Sequence, residues 1–149
     1  MFVYRITKAR YADRLVASGG AARWNSRGMF VIYTAASRAL ACLENVVHRS
    51  GEGLNDEFRV MVIDVPDTLA VEVIIAENLP KNWFDYQKYY LCQERGDDWL
   101  RSGRTPVMQV PSAIIPGEFN YLLNPTHPEF AAIRLLRTEP FVFDPRIKQ

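Results

Sequence analysis

Cysteine and histidine are scarce in this chain. Its 149 residues hold two cysteines, Cys42 and Cys92, and two histidines, His48 and His127. The cysteines lie far apart and form no CxxC or Cys/His spacing, so no metal site is expected. A reduced, cytoplasmic protein is the simplest reading of that usage. Net charge is also lacking: 18 basic side chains stand against 17 acidic ones, leaving +1. Such a balance gives no broad positive field for nucleic acid and no polybasic anchor for a membrane. No apolar run approaches the roughly 20 residues that span a bilayer. The opening MFVYRITKAR is interrupted by Arg5 and lacks a small-residue cleavage site, so it does not read as a secretory signal. Repeats, low-complexity tracts and linker-like segments are absent, and residues 1–149 are expected to form one domain.

What is present suits a packed core. The chain is 48% hydrophobic and 12% aromatic, a composition that argues against disorder. Phe2 to Ile6 reads as a strand, and Tyr11 to Ala17 as a turn or two of helix. Gly19, Gly20, Asn25 and Gly28 mark a loop from Ser18 to Gly28. Met29 to Tyr33 reads as a buried strand. Ser37 to Arg49 reads as a helix with Leu40, Leu43 and Val47 at helical spacing and Gly51 as its C-terminal cap. Strands follow at Phe58–Val65 and Ala70–Ile75, a helix at Asp85–Ser102, and a strand at Val107–Val110 before the Pro111–Pro116 corner. A short helix at Glu129–Ala132 and a last strand at Ile133–Arg137 complete the pattern. Adjacent strands and irregular alternation predict an α+β fold with a mixed, mainly antiparallel sheet.

Several polar residues stand out against this frame. Glu44 borders the apolar stripe of its helix, with Leu40, Ala41, Val47 and His48 one turn away and no Lys or Arg placed to pair with it. It faces either a half-buried cleft or water. Arg23 lies in the small-residue loop Gly19-Gly20-Ala21-Ala22 beside Trp24. Its planar fork of donors suits a phosphate or diphosphate, and stacking on Trp24 at the surface is the alternative. No phosphate-loop signature accompanies it. Tyr33, at the end of a buried strand, offers a ring to stack on a heterocycle or a hydroxyl satisfied within the core. Ser112 sits between Pro111 and the corner, where it is a ligand donor and not a nucleophile, since no GxSxG elbow surrounds it. Asn120, Asn124 and His127 add polar groups nearby. The aromatics Trp83, Phe84, Tyr86, Tyr89 and Tyr90 are expected to pack mostly into the core.

The stretch "ARWNSRGMFVIYTAASRALACLENVVH" resembles the central motif of the RES-domain family, a GRWN-like loop, a strand ending in tyrosine and a helix of the form LAxLEVLVH. "GDDWL", "VPSAIIP" and "NYLLNPTHPEF" resemble the family's later blocks in the same order, as do "YRITKARYA" and "PFVFDPRI" at the two ends. The likeness covers essentially the whole chain. Ala22 departs from the usual glycine before RWN, and Asn45 from the usual valine after the glutamate.

That resemblance implies an ADP-ribosyltransferase-like fold and a bacterial toxin of a toxin–antitoxin pair that consumes NAD+. Carried over by position, the arginine, glutamate and serine that name the family are Arg23, Glu44 and Ser112, with Tyr33 as the strand-end tyrosine. The implied catalytic set is Arg23, Tyr33 and Glu44. Arg23, Trp24, Tyr33, Ser112 and Asn124 form the ligand-binding set. NAD+ is a substrate, so no cofactor is implied. The implied partner is an Xre-like helix-turn-helix antitoxin protein, through which any contact with DNA is indirect. Hydrolysis or phosphorolysis of the nicotinamide–ribose bond is the first expectation. ADP-ribosylation of a protein is the second, and an RNA-directed toxin or a non-catalytic module the third.

Overall fold

A computed structural model describes residues 1–48 and 57–147. Arg49 and the cap expected at Gly51 lie outside the described residues. The elements run β1 (Phe2–Lys8), β2 (Ile32–Ala35), α1 (Arg38–His48), β3 (Phe58–Asp64), β4 (Val71–Val73), α2 (Tyr89–Ser102), β5 (Val107–Pro111), β6 (Phe119–Leu123) and β7 (Arg134–Phe141), with short 3-10 turns between some of them. The strands form a seven-stranded sheet in the order β4-β5-β6-β2-β1-β3-β7. β4 and β5 are parallel, and every other neighbouring pair is antiparallel. The architecture is the expected α+β fold with a mixed, mainly antiparallel sheet.

Strand alternation sorts the core into two faces. One face carries Val3, Ile32, Met61, Ile63, Val107 and Leu123, covered by Ala12, Leu15, Ala17, Phe130 and Ile133. The other face carries both helices. Ile6, Ala35, Val60 and Val62 pack beneath Leu40, Ala41 and Cys42 of α1. Val31, Tyr33, Met108, Val110 and Leu122 pack beneath Cys92 and Trp99 of α2, together with Trp24 and Trp83. Each such fully buried aliphatic side chain contributes about 1.5–3 kcal/mol. The two helical territories meet on β2, where Tyr33 belongs to α2 and Ala35 to α1. β1 and β2 touch at a single register pair, Tyr4 opposite Ala35.

Local chemistry sets the element ends. The Ser37 hydroxyl accepts from the Leu40 N–H and starts α1. Gly103 stops α2 in the left-handed region, at φ 61°, with its N–H donating to Trp99 O.

Several expectations are corrected. Residues 12–17 form no helix; a 3-10 turn at Ala9–Tyr11 is all that appears there. β2 begins at Ile32 and not Met29, because a turn claims the preceding residues: Met29 N–H donates to Ser26 O, and Asn25 takes Met29 O. On α1 the buried residues are Leu40, Ala41 and Cys42, whereas Leu43 is exposed and Val47 is 58% exposed. Strand β6 was not foreseen. β7 runs through Pro140, which an edge strand tolerates because it has one neighbour only. Of the aromatic group at residues 83–90, Trp83 is buried, but Phe84, Tyr86 and Tyr90 are exposed.

Candidate functional site

Glu44 projects from α1 towards the start of β6 and the residue after β5. Its Oε1 accepts from Ser112 Oγ at 3.1 Å and from Asn120 Nδ2 at 2.7 Å. Its Oε2 lies 3.3 Å from Nε2 of His48, one helical turn on, and the side chain stays 22% exposed. Burial pushes the carboxyl up, but the hydrogen bonds from His48, Asn120 and Ser112 outweigh it, and Glu44 is held below the ordinary carboxylate value. The result is an ionised carboxylate whose Oε1 accepts two hydrogen bonds and whose Oε2 lies beside His48.

The fold explains the convergence. Asn120 opposes Ala35 on β2 and Val110 on β5, so it sits on the helical face at the seam between α1 and α2. Ser112 is buried and is held by its own turn: its N–H donates to Glu118 O, and its Oγ accepts from the N–H groups of Ile114 and Ile115. With both lone pairs so used, its hydroxyl proton is free to point at Glu44. Ser112 therefore fixes the carboxylate.

A second cluster surrounds Arg23. Its guanidinium donates to Trp83 O at 3.1 Å and to Phe84 O at 2.9 Å, and its Cζ lies 4.3 Å from the centre of the Tyr89 ring. Two of its five N–H donors are engaged in these bonds, and the guanidinium also reaches the Cys92 thiol. Trp24 is buried, its ring 6.1 Å from that of Trp83. The Tyr33 hydroxyl donates to Asn25 Oδ1 at 2.5 Å and accepts from Trp24 N–H at 3.0 Å. Burial raises its pKa, against the opposing pull of the Trp24 bond, so it is a neutral phenol at any physiological pH.

Asn25, read from the sequence only as a loop marker, and Gln93 and Asp97, not singled out there, hold this loop. Asn25 donates to Gly20 O and Met29 O. Gln93 of α2 donates to Ala22 O and Asn25 O. One turn on, Asp97 accepts from the Ser26 N–H at 3.0 Å and from the Ser26 hydroxyl. The i, i+4 spacing of Gln93 and Asp97 was the signal available in the sequence.

The structure thus brings Glu44 and Ser112 together, and separately Arg23, Trp24 and Tyr33. The clusters share β2, through Tyr33 and the Asn120-paired Ala35, but no hydrogen bond joins them among the described residues. Asn124 belongs to neither. It is buried beyond the far end of β6, where its Oδ1 accepts from the Thr126 N–H and hydroxyl. A cavity of about 230 Å³ lies apart from all of these, lined by residues that include Glu72, Ile74, Asn78, Arg95, Asp98 and Arg104. Its Arg104 is already paired to Glu72 and Asp98. No group of three or more His, Cys, Asp and Glu is placed to hold a metal among the described residues. No helix there is long and apolar enough to cross a membrane.

Comparison with known proteins agrees with the resemblance. The family model described as the RES domain matches residues 2–144. A relative from Sphingobium sp. (strain YBL2), named Prs ADP-ribosylating toxin, is 38% identical over 141 residues, covering 91% of this chain and 88% of its own. Toxin Res of Yersinia enterocolitica is 33% identical over 153 aligned residues, covering 99% of this chain and 100% of its own. A chain in the crystal structure of the M. tuberculosis MbcT–MbcA toxin–antitoxin complex shares the fold, with a TM-score of 0.77 at 21% identity, over 95% of this chain and 84% of that one.

Proposed function

This chain belongs to the RES-domain family, and from that premise we propose that it is the toxin of a toxin–antitoxin pair, cleaving the nicotinamide–ribose bond of NAD+. The observation that carries the reading is Glu44, an ionised carboxylate at the seam of the two helices, with Oε1 held by Ser112 and Asn120 and Oε2 beside the half-exposed His48.

Nicotinamide leaves as a neutral ring, taking the bond's electron pair, so no general acid is needed. Positive charge develops on the ribose as in glycoside cleavage. Glu44 accepts from a ribose hydroxyl and stabilises that charge, a preorganised interaction. Arg23 offers its uncommitted N–H donors to the diphosphate. Tyr33 holds the Arg23 loop through its hydroxyl and lends its ring to the nicotinamide side. Trp24 supports that loop from the core. Ser112 acts on Glu44. Asn124, away from both clusters, is left without a ligand role.

Water or phosphate as acceptor gives NAD+ breakdown, and a protein side chain gives ADP-ribosylation. The second outcome is favoured by one relative's name, Prs ADP-ribosylating toxin. The partner in this reading is an antitoxin of the Xre-like helix-turn-helix kind, in keeping with the toxin names of the relatives. The test is NAD+ incubated with purified, antitoxin-free protein, with and without phosphate and candidate protein acceptors, followed by chromatography. Nicotinamide released by wild type but not by Glu44→Ala supports the reading, and its co-product names the acceptor. Intact NAD+ under every condition overturns it.

A further inference from the structure

We propose that Asn120 is a positioning residue for Glu44: together with Ser112 it occupies Oε1, and so sets Oε2 on the His48 side of the carboxylate, where a ligand would meet it. The proposal rests on the reading of Glu44 given above.

The geometry carries it in three steps. First, the Asn120 amide donates to Oε1 at 2.7 Å, shorter than the 3.1 Å from Ser112, as suits a charge-assisted bond. Second, the amide orientation is fixed, since flipping it would set a carbonyl oxygen against a carboxylate. Third, Asn120 gains nothing else from its side chain. Its Oδ1 is buried and without a hydrogen-bond partner, although buried amide oxygens are nearly always satisfied. Holding Glu44 uses the amide N–H, and that is the one hydrogen bond shown for the Asn120 side chain among the described residues. The strand pairing supplies the aim, because Asn120 lies between Ala35 and Val110 in the middle of three paired strands.

Of the groups facing Glu44, His48 sits on the same helix and meets Oε2. The contacts from the β5–β6 side, Ser112 and Asn120, are neutral. No other described side chain is within ion-pairing or hydrogen-bonding reach of the carboxylate. Removing Asn120 therefore leaves burial opposed by fewer donors, and the Glu44 pKa rises.

Asn120→Leu removes the donor and the orphaned oxygen together while keeping the branching at Cγ, and the smaller Asn120→Ser supplies a second variant should the first not fold. The full chain is followed by NMR of the Glu44 side-chain carboxyl carbon across a pH titration. Expected is a higher midpoint in Asn120→Leu than in wild type. NAD+ turnover should fall about tenfold or more through kcat, with KM little changed and the acid limb moved up. An unmoved carboxyl titration overturns the proposal, whatever the turnover shows. A moved titration in a protein that leaves NAD+ intact upholds the Asn120 contact and overturns the NAD+ reading instead.

Discussion

A β-carbon on Gly96 would fall 1.6 Å from the carbonyl oxygen of Trp24. Helix α2 and the Arg23 loop approach so closely there that no side chain fits between them. Because the obstacle is backbone, Gly96→Ala must displace the helix or the loop. A loss of about 3 kcal/mol or more is expected, read as a lower midpoint in urea with the slope unchanged. Wild-type stability in this variant would show that the contact yields.

Removing the Tyr33 hydroxyl strands two partners, the Trp24 N–H and Asn25 Oδ1. Tyr33→Phe should cost about 1–3 kcal/mol. On the proposed reading it should also raise KM for NAD+, because the loop that presents Arg23 loses its tie to β2. Thermal unfolding and steady-state kinetics report the two effects separately.

Asp97 accepts twice from Ser26. Asp97→Ala removes both bonds, whereas Asp97→Asn keeps an acceptor for the N–H and a donor that the hydroxyl can accept. The alanine variant should be clearly less stable than the asparagine one, which should sit near wild type. Equal loss in both would mean that the carboxylate charge, and not its geometry, holds the loop.

Glu44→Gln keeps an oxygen for the Ser112 and Asn120 donors but removes the charge. Turnover should fall about a hundredfold or more, with NAD+ binding far less affected. The pH dependence has a defined sign. Hydrogen bonds hold the Glu44 pKa below its ordinary 4.5 against the opposing effect of burial, so its charged form is stabilised in the folded state. That contribution is present above the ordinary value and disappears as pH falls through the folded value. The acid limb of wild-type kcat/KM, which reports the free enzyme, should therefore lie below the ordinary carboxylate range. A limb at or above it would contradict this environment.

The sequence made α1 legible because Leu40, Leu43 and Val47 recur along it at helical spacing, and β1 and β3 legible because their apolar residues are dense. The glutamate, arginine and serine were visible as residue types and as a family pattern. Their distribution into two clusters was not, because it depends on which strands pair. β6 escaped notice for a local reason: Phe119-Asn120-Tyr121-Leu122-Leu123 does not alternate, since Leu122 and Leu123 are buried on opposite faces. Overlooking β6 hid Asn120, whose importance comes from its register with β2. The aromatics at 83–90 misled for the opposite reason. Aromatic density suggested core, but Trp83 alone is buried and Tyr89 half-buried, and a 3-10 turn at Tyr86–Lys88 turns Tyr86 outwards, 77% exposed.

The single pair that joins β1 to β2 makes the sheet two panels stitched by one rung. One panel, β4-β5-β6-β2, brings Tyr33, Asn120 and the Ser112 turn; the other, β1-β3-β7, carries α1 and Glu44. The Glu44–Ser112 and Glu44–Asn120 bonds cross from one panel to the other, so the carboxylate is also a fastener. Any molecule gripped by Glu44 on one side and Arg23 on the other would clasp the two panels together where the backbone holds them least.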